Sequence, residues 1–338
     1  MKLLLPLLTV SSSLVAAWLY HYHKRRLLHQ KYLRGLVQPQ QYRGLPVVIV
    51  LDIGSSSIRA SCFALVSKGQ WVLLDGSMQQ QHDLSIDVHG EANCAKIEAI
   101  VEHVLDQTMA FLRAVDLTQE LVGVGFSTFS MNLLGIDSSG NAVTPVYTTT
   151  AEWAKRLQQR LAACGQLDET HNRTAQGEGV PISFSEASWM GLLDFRREQW
   201  DARILELVDM DMSKMPPVVD SSVPFSGLNA TFSRRWPELK NVSFFLGVAD
   251  GAAANVGSKC IDASRIAVTI GTSAALRVML DADAMKTAKV PKGLWCYRIG
   301  QDRVLLGGAL SDGGSVYKFF RESLRLSNES MCNLLVSR

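Results

Sequence analysis

One strand-turn-strand pattern occurs twice in this chain of 338 residues, and it restricts the possible folds more than any other feature. In the first copy, a β-branched apolar run at 47–51 leads into the turn sequence DIGSSS at 52–57, and a second run follows at 58–65. In the second copy, the run 265–270 leads into the turn GTS at 271–273, and the return run covers 274–279. Short β-branched runs bounded by glycine and serine predict paired strands. The repeat therefore predicts an internally duplicated fold whose two halves face each other across a cleft.

The segments after the first pattern indicate the fold class. Apolar residues recur with helical spacing over 95–114, and 122–127 predicts a further strand. Alternating strands and helices are typical of the α/β class. The chain is 47% hydrophobic and is long enough for two domains with cores of their own. Its net charge of +2 lacks the basic excess of a nucleic-acid-binding protein, so we expect no nucleic-acid partner.

Both turns carry residues suited to holding phosphate. A glycine lets the backbone approach a ligand closely, and neighbouring amides and hydroxyls can bind phosphate oxygens. Taken singly, each turn is better explained by ordinary strand-end chemistry. Their duplication shifts the interpretation towards phosphate binding. Asp52 lies at the end of its strand, where a carboxylate can hold a nucleotide-bound Mg²⁺ through water.

A run of small residues at 247–258, with sequence GVADGAAANVGS, precedes the second pattern. In one interpretation Asp250 caps a helix that packs closely against a neighbour, because aspartate caps well and alanine and glycine permit close approach. In the other, Asp250 offers a carboxylate to the proton of an incoming hydroxyl. The residues alone favour neither interpretation.

Several further segments share the order of motifs seen in one enzyme family. They are Gly125-Phe126-Ser127, the glycines Gly307, Gly308, Gly313 and Gly314, and the pair of segments 185–189 (SEASW) and 235–237 (RWP). Together with the two turns and Asp250, these residues resemble the FGGY family of carbohydrate kinases, within the actin-like ATPase superfamily. The similarity runs from about Val47 to about Arg325, and the segments 185–189 and 235–237 are most similar to gluconokinase-type members.

The resemblance implies an α/β fold of the duplicated actin-like ATPase type, built from ribonuclease-H-like domains, with an incomplete second domain. It implies a leader and basic linker at 1–45, a shortened sugar-binding domain at 46–243 and a truncated nucleotide-binding domain at 244–338. The implied reaction is ATP-dependent phosphorylation of a sugar, sugar acid or polyol hydroxyl with Mg²⁺. The similarity to gluconokinase-type members suggests gluconate as the substrate.

The resemblance also assigns expected roles to individual residues. Asp250 would orient the acceptor hydroxyl and take its proton, Ser127 would lie near the sugar, and Asp52 would steer Mg²⁺ through water. The residues expected to hold the nucleotide are Asp52, Gly54, Ser55, Ser56, Gly271, Thr272, Ser273, Gly307 and Gly308.

Some features depart from the family pattern. Ala151 and Trp153 stand where the family usually has a substrate-binding Asp and Arg, only 175–182 links two segments that relatives separate widely, and the sequence stops at Arg338. We therefore expect weak or no turnover from this form. The alternative function is a noncatalytic, membrane-tethered scaffold that keeps a nucleotide-type cleft. An ATPase of the actin or heat-shock chaperone type ranks last, because it leaves the segments 185–189 and 235–237 unexplained.

The first residues form an uncharged stretch, 3–22, which contains Trp18 and Tyr20 and precedes the basic run Lys24-Arg25-Arg26. Its length, interfacial aromatics and flanking charge predict a membrane-spanning helix that anchors the protein with its catalytic body in the cytosol. A signal peptide and a mitochondrial presequence are the alternatives.

Overall fold

The structure is a computed structural model, and it describes residues 22–32, 38–82, 86–87, 89–129, 132, 134–137, 141–148, 181–207, 210–270, 274–310 and 312–324. Several predictions fall outside these residues. They concern the second turn (Gly271, Thr272 and Ser273), the departures at Ala151 and Trp153, and nearly all of the uncharged stretch 3–22.

The strands, in chain order, are β1 (Val47–Ile53), β2 (Ser57–Ser67), β3 (Gln70–Leu73), β4 (Gln79–His82), β5 (Glu91–Ala92), β6 (Leu121–Thr128), β7 (Val146–Tyr147), β8 (Ile182–Ser183), β9 (Leu193–Asp194), β10 (Gln199–Trp200), β11 (Val218–Val219), β12 (Pro224–Phe225), β13 (Ser243–Phe245), β14 (Val248–Ala249), β15 (Ile266–Ile270), β16 (Ala274–Asp281), β17 (Trp295–Arg298) and β18 (Arg303–Leu310). The helices are α1 (Pro39–Tyr42), α2 (Cys94–Ala114), α3 (Phe184–Trp189), α4 (Ala202–Leu207), α5 (Ala230–Arg235), α6 (Asp250–Gly257), α7 (Ala282–Met285) and α8 (Gly314–Ser323). Residues 22–32 are also helical, and the 3₁₀ turns in the described part of the chain cover Thr118–Glu120, Met212–Lys214 and Pro237–Leu239.

The chain divides into two compact units. The first unit comprises residues 1–85, 93–126 and 224–245, and the second comprises 86–92, 127–223 and 246–338. The last crossing from the first unit to the second therefore lies at 245/246, two residues after the predicted boundary at 243/244. Segments 86–92 and 127–223, which lie before that boundary, belong to the second unit.

The first unit is built on a sheet with strand order β12-β13-β6-β1-β2-β3, and β4 pairs with the start of β2. The antiparallel pair β1–β2 is the predicted first hairpin, with Ile53 opposite Ile58. Alternate residues of β1, which are Val47, Ile49 and Leu51, are buried, as expected for a strand with one face in a core. Helix α2 packs on β2 and β4. It buries Val104, Leu105, Met109 and Leu112, which follow the predicted helical spacing.

An ion-pair network fastens α5 to α2 in this unit. The guanidinium of Arg235 donates to both carboxylate oxygens of Asp106, at 3.1 and 2.7 Å, and also contacts Glu102. The indole of Trp236 donates to Asp106 at 2.8 Å and its ring stacks on Phe232. The segment 235–237, which carries part of the family resemblance, therefore has a structural role in holding two helices together.

Replacing Asp106 with Ala removes the acceptor shared by Arg235 and Trp236. We expect a loss of about 1–2 kcal/mol in the free energy of unfolding, because the ion pair is partly exposed while the indole loses its partner. The hydrogen bond from Arg235 lowers the pKa of Asp106, so this stabilisation is present at neutral pH and is lost as the pH falls through that lowered pKa. Urea unfolding at neutral and acidic pH measures the loss of stability at each pH. Glu98→Ala, on the exposed face of α2, is the control. Equal losses in the two variants would contradict the prediction.

The second unit contains a four-stranded antiparallel sheet with order β15-β16-β18-β17. The pair β15–β16 is the predicted second hairpin, with Ile270 opposite Ala274. Gly307 lies in β18 opposite Trp295, and a Cβ atom there would come within 2.3 Å of the Trp295 ring and 2.5 Å of the Leu276 carbonyl oxygen. The ring therefore requires glycine at this position, independently of any nucleotide.

Replacing Gly307 with Ala should overpack this contact. We expect a loss of about 1–3 kcal/mol in the free energy of unfolding, since the strand or the indole must shift. Gly257→Ala is the matched control, because a Cβ atom there has no neighbour within 4 Å. Thermal unfolding followed by circular dichroism measures the difference, and equal midpoints for the two variants would show that the close approach is not a constraint.

Among the described strands of this sheet, β15 lies at the edge, and it is largely apolar. Ile266, Val268 and Ile270 are 59%, 61% and 69% exposed, and Leu276 on β16 and Leu310 on β18 are also exposed. An exposed apolar edge strand presents unpaired backbone groups as well as apolar side chains.

Arg298 is the largest fully buried side chain of the described residues, with 1% of its surface exposed. Its guanidinium donates to the carbonyl oxygens of Phe195, at 2.9 Å, and of Gly300 and Gln301, and forms an ion pair with Glu198 at 3.1 Å. Its backbone amide donates to Ser188 Oγ at 2.9 Å. Arg298 thus joins β17 to α3 and to two loops of the second unit.

The predicted membrane anchor requires a correction. None of the helices in the described part of the chain is both long and apolar enough to cross a membrane. The longest of them, α2, carries charged residues along its length, including Lys96, Glu102 and Arg113. The transmembrane helix, the membrane contact and the membrane-anchored location predicted from the sequence are therefore not supported.

Candidate active site

Asp250 is the first residue of α6 and directly follows β14. Strand β14 runs parallel to the end of β6, with Val248 opposite Ser127 and Ala249 opposite Thr128. The N-cap of α6 is Ala249, so Asp250 occupies the first helical position, where the helix dipole favours a negative charge. The Asp250 side chain is exposed, and its Oδ1 accepts a hydrogen bond from the Gly251 amide at 2.6 Å. An exposed carboxylate is thus fixed directly after β14.

Two serines at the start of α3 hold β14 in place. Ser183 Oγ donates to the Gly247 carbonyl at 2.6 Å, and Ser185 Oγ accepts from the Ala249 amide at 3.0 Å. Ser183 also caps α3 by accepting from the Glu186 amide. These bonds fix the backbone immediately before Asp250.

Glu186 brings a second carboxyl group to this region. It lies on α3 and accepts a short hydrogen bond from Thr128 Oγ1. Burial raises the pKa of Glu186 to about 7, the hydrogen bond from Thr128 opposes that rise, and the negative charge of Asp250 adds to it. The site therefore holds one exposed acid and one largely buried acid whose charges interact.

Aromatic and basic side chains surround the start of α6. A Cβ atom at Gly251 would lie 3.0 Å from Arg277 Nε and 3.4 Å from the Tyr297 hydroxyl, so glycine lets both groups approach the helix. Tyr297 packs on Trp189 with ring centroids 4.1 Å apart. Burial raises the pKa of Tyr297, so its hydroxyl stays protonated at neutral pH.

The first predicted phosphate turn lies in the first unit. Gly54 donates its amide to the Ser57 carbonyl at 2.9 Å and so closes the turn, while Ser55 and Ser56 are exposed. Asp52 Oδ2 forms an ion pair with Arg59 at 2.8 Å across the hairpin. The partly exposed carboxylate fits water-mediated contact with Mg²⁺, which prefers few carboxylates and several waters.

The structure brings together only some of the predicted residues. Ser127 is buried near the end of β6, beside the strand that leads to Asp250. Gly307 and Gly308 lie inside β18. Thr128 and Glu186 were not predicted, although Thr128 follows Ser127 directly and Glu186 lies within the segment 185–189. Their contact joins residues 58 positions apart, which no local pattern indicates.

Comparison with known proteins gives sequence relatives that are carbohydrate kinases, although no family model matches the chain. A gluconokinase of Bacillus licheniformis is 28% identical over 147 residues, which cover 43% of this chain and 28% of that protein. A glycerol kinase of Cereibacter sphaeroides is 30% identical over 41% of this chain and 27% of its own length. A xylulose kinase of Lactococcus lactis is 23% identical over 67% of this chain and 52% of its own length.

Solved structures extend the similarity to the fold. The gluconate kinase of Lactobacillus acidophilus superposes with a TM-score of 0.67 at 17% identity, over 87% of this chain and 66% of that one. The glycerol kinase of Plasmodium falciparum gives 0.66 at 12% identity, over 87% of this chain and 67% of that one. The chain spans about a quarter to half of the length of these curated relatives. It has the actin-like ATPase fold of these sugar kinases.

Proposed function

We propose that this chain transfers the γ-phosphoryl group of ATP to a hydroxyl group of a sugar, sugar acid or polyol. The observation that carries the proposal is the placement of Asp250, an exposed carboxylate at the first position of α6, beside the end of β6 that holds Ser127. The kinases named above support the same reaction class.

The proposed chemistry depends on alignment more than on covalent catalysis. Asp250 accepts a hydrogen bond from the acceptor hydroxyl and takes its proton as the oxygen bonds to the γ-phosphorus and the bond to ADP breaks. Ser183 and Ser185 hold the backbone before Asp250, so the carboxylate meets the hydroxyl in one orientation. Arg277 lies near the start of α6, where its positive charge would stabilise the negative charge that develops during phosphoryl transfer.

The remaining predicted residues take nucleotide roles in this proposal. Ser55 and Ser56 offer exposed hydroxyls to phosphate oxygens, and Asp52 would hold hydrated Mg²⁺. The metal ion would supply neutralisation of phosphate charge. Gly271, Thr272 and Ser273 would form the second phosphate turn. The nucleotide role of Gly307 and Gly308 rests on the family resemblance, because Trp295 and Leu294 fill the space beside these two glycines.

Gluconate is the substrate that we propose within this class. Gluconokinases of two Bacillus species are 28% and 27% identical to this chain over 147 residues, and a gluconate kinase shares its fold. Glycerol kinases and xylulose kinases are similar too, so the acceptor needs a direct test.

The test is ADP release by the purified full chain with gluconate, xylulose and glycerol as acceptors, each measured against ATP alone. We expect low turnover, because Ala151 and Trp153 stand where the family usually has a substrate-binding Asp and Arg, and we expect the highest kcat/KM with gluconate. A higher kcat/KM with another acceptor would contradict gluconate as the substrate but would still agree with the kinase reaction. ADP release that no acceptor increases would contradict the kinase reaction itself.

A further inference from the structure

The Glu186 carboxyl is fixed from two directions at the candidate active site. Its own oxygen accepts from Thr128, whose partner in the β6–β14 pair is Ala249. Its neighbour Ser185 accepts from the amide of the same Ala249, which directly precedes Asp250. Glu186 is therefore tied through both β6 and α3 to the residue next to Asp250.

The surroundings of this carboxyl are unusual for a group with a structural role alone. No Lys, Arg or His within the described ranges forms an ion pair with Glu186, although the side chain is largely buried. A buried carboxylate without a cation is costly, whereas a glutamine or an apolar residue could fill the same space. The acid beside it, Asp250, adds repulsion instead of compensation.

We infer that Glu186 is a positioning residue for the proposed reaction. Held in place by Thr128, it is a second acid that sets the proton affinity of Asp250. The inference rests on the proposed function only in naming Asp250 as the base. Ionised Glu186 places a negative charge beside Asp250 and makes that carboxylate a stronger proton acceptor. Protonated Glu186 removes the charge, so the base weakens as the pH falls.

Other titratable groups on the elements packed against α3 do not duplicate this role. Strand β17 carries Cys296, Tyr297 and Arg298, of which Tyr297 interacts with both acids and stays protonated at neutral pH. Arg298 is paired with Glu198. Asp194 on β9 accepts from backbone amides of its own loop. Arg277 on β16 lies beside the start of α6 and is a fixed positive charge that the titration of Glu186 does not change. The acid that interacts with Glu186 is Asp250.

The first experiment needs no turnover. The full chain labelled with ¹³C at the glutamate carboxyl carbons is titrated by NMR from about pH 4 to about pH 9. We expect one glutamate to titrate near pH 7 and to disappear in Glu186→Gln. In Asp250→Asn the same resonance should titrate about one pH unit lower, because the like charge is gone. In Thr128→Val it should titrate higher.

The titration decides whether the two acids are coupled. Glu206→Gln, on the exposed face of α4, is the matched control and should leave the resonance near pH 7 unchanged. A Glu186 resonance with an ordinary pKa would overturn the inference, and so would one that Asp250→Asn does not move. Asp250→Asn keeps the test valid if Glu186→Gln fails to fold.

The second experiment compares pH profiles of turnover. In the unmodified chain kcat/KM should rise with pH around 7, and in Glu186→Gln this rise should vanish while kcat at higher pH falls about three- to tenfold with little change in KM. Glu186→Asp should restore part of the rise. A purely structural residue would lower the amount of folded protein without changing the profile. Absence of turnover in the unmodified chain would contradict the proposed function, whereas an unmoved profile in Glu186→Gln would contradict the role of Glu186.

Discussion

Asp250→Asn is expected to lower kcat by roughly a hundred- to ten-thousandfold, the range that a positioned general base contributes. The amide keeps the size of the side chain and can still accept from the Gly251 amide, so α6 should start at the same residue. It cannot take the proton of the acceptor hydroxyl. The measurement is ADP release at saturating ATP and acceptor, together with nucleotide affinity by calorimetry, which we expect to change little because Asp250 is assigned to the acceptor.

Asp302→Asn is the control for this variant. It makes the same chemical change at an exposed aspartate in the second unit and should leave kcat unchanged. Turnover of Asp250→Asn within a factor of three of the unmodified chain would exclude Asp250 as the base. A parallel loss of nucleotide binding would show that the residue acts on ATP instead.

Arg298→Ala is expected to cost about 3–5 kcal/mol in the free energy of unfolding, because it removes the buried member of an ion pair whose other member, Glu198, is partly exposed. The substitution leaves the carbonyl oxygens of Phe195, Gly300 and Gln301 without their donor and leaves Glu198 without its cation. Urea unfolding at neutral pH, followed by circular dichroism, measures the loss.

The matched control for Arg298 is Arg303→Ala on the adjacent strand β18. Arg303 pairs with Asp281 at 3.1 Å but is 41% exposed, so its removal should cost less than about 1 kcal/mol. Because Arg298→Ala could fail to fold, Glu198→Gln tests the same pair with a smaller loss. Similar stabilities of the Arg298 and Arg303 variants would show that the buried guanidinium does not organise the second unit.

Local patterns predicted the elements whose residues carry their own signal. The β-branched run at 47–51 is β1, and the helical spacing at 95–114 is α2 almost to the residue. Both depend on side-chain periodicity, which is set by backbone geometry and is visible in sequence. The uncharged stretch 3–22, whose length and composition predicted the membrane anchor, lies almost wholly outside the described residues.

The remaining features depend on contacts between distant segments. Strand β14 is two residues long and is defined by pairing with β6, about 120 positions earlier. A buried arginine such as Arg298 contradicts the expectation that charges lie on the surface. The raised pKa of Glu186 arises from burial, which no sequence window reports. For Asp250 the sequence left two interpretations, and the structure places it inside the helix after the cap.

The exposed edge strand that carries Ile266, Val268 and Ile270 favours self-association, and every solution measurement on this protein should allow for it. Such an edge strand can form β-sheet hydrogen bonds with an extended segment of another molecule, at a rate that grows with protein concentration. Light scattering alongside each titration would separate self-association from the intramolecular effects of a variant. A lysine at Val268 should suppress the scattering while leaving the acid pair at Asp250 and Glu186 intact.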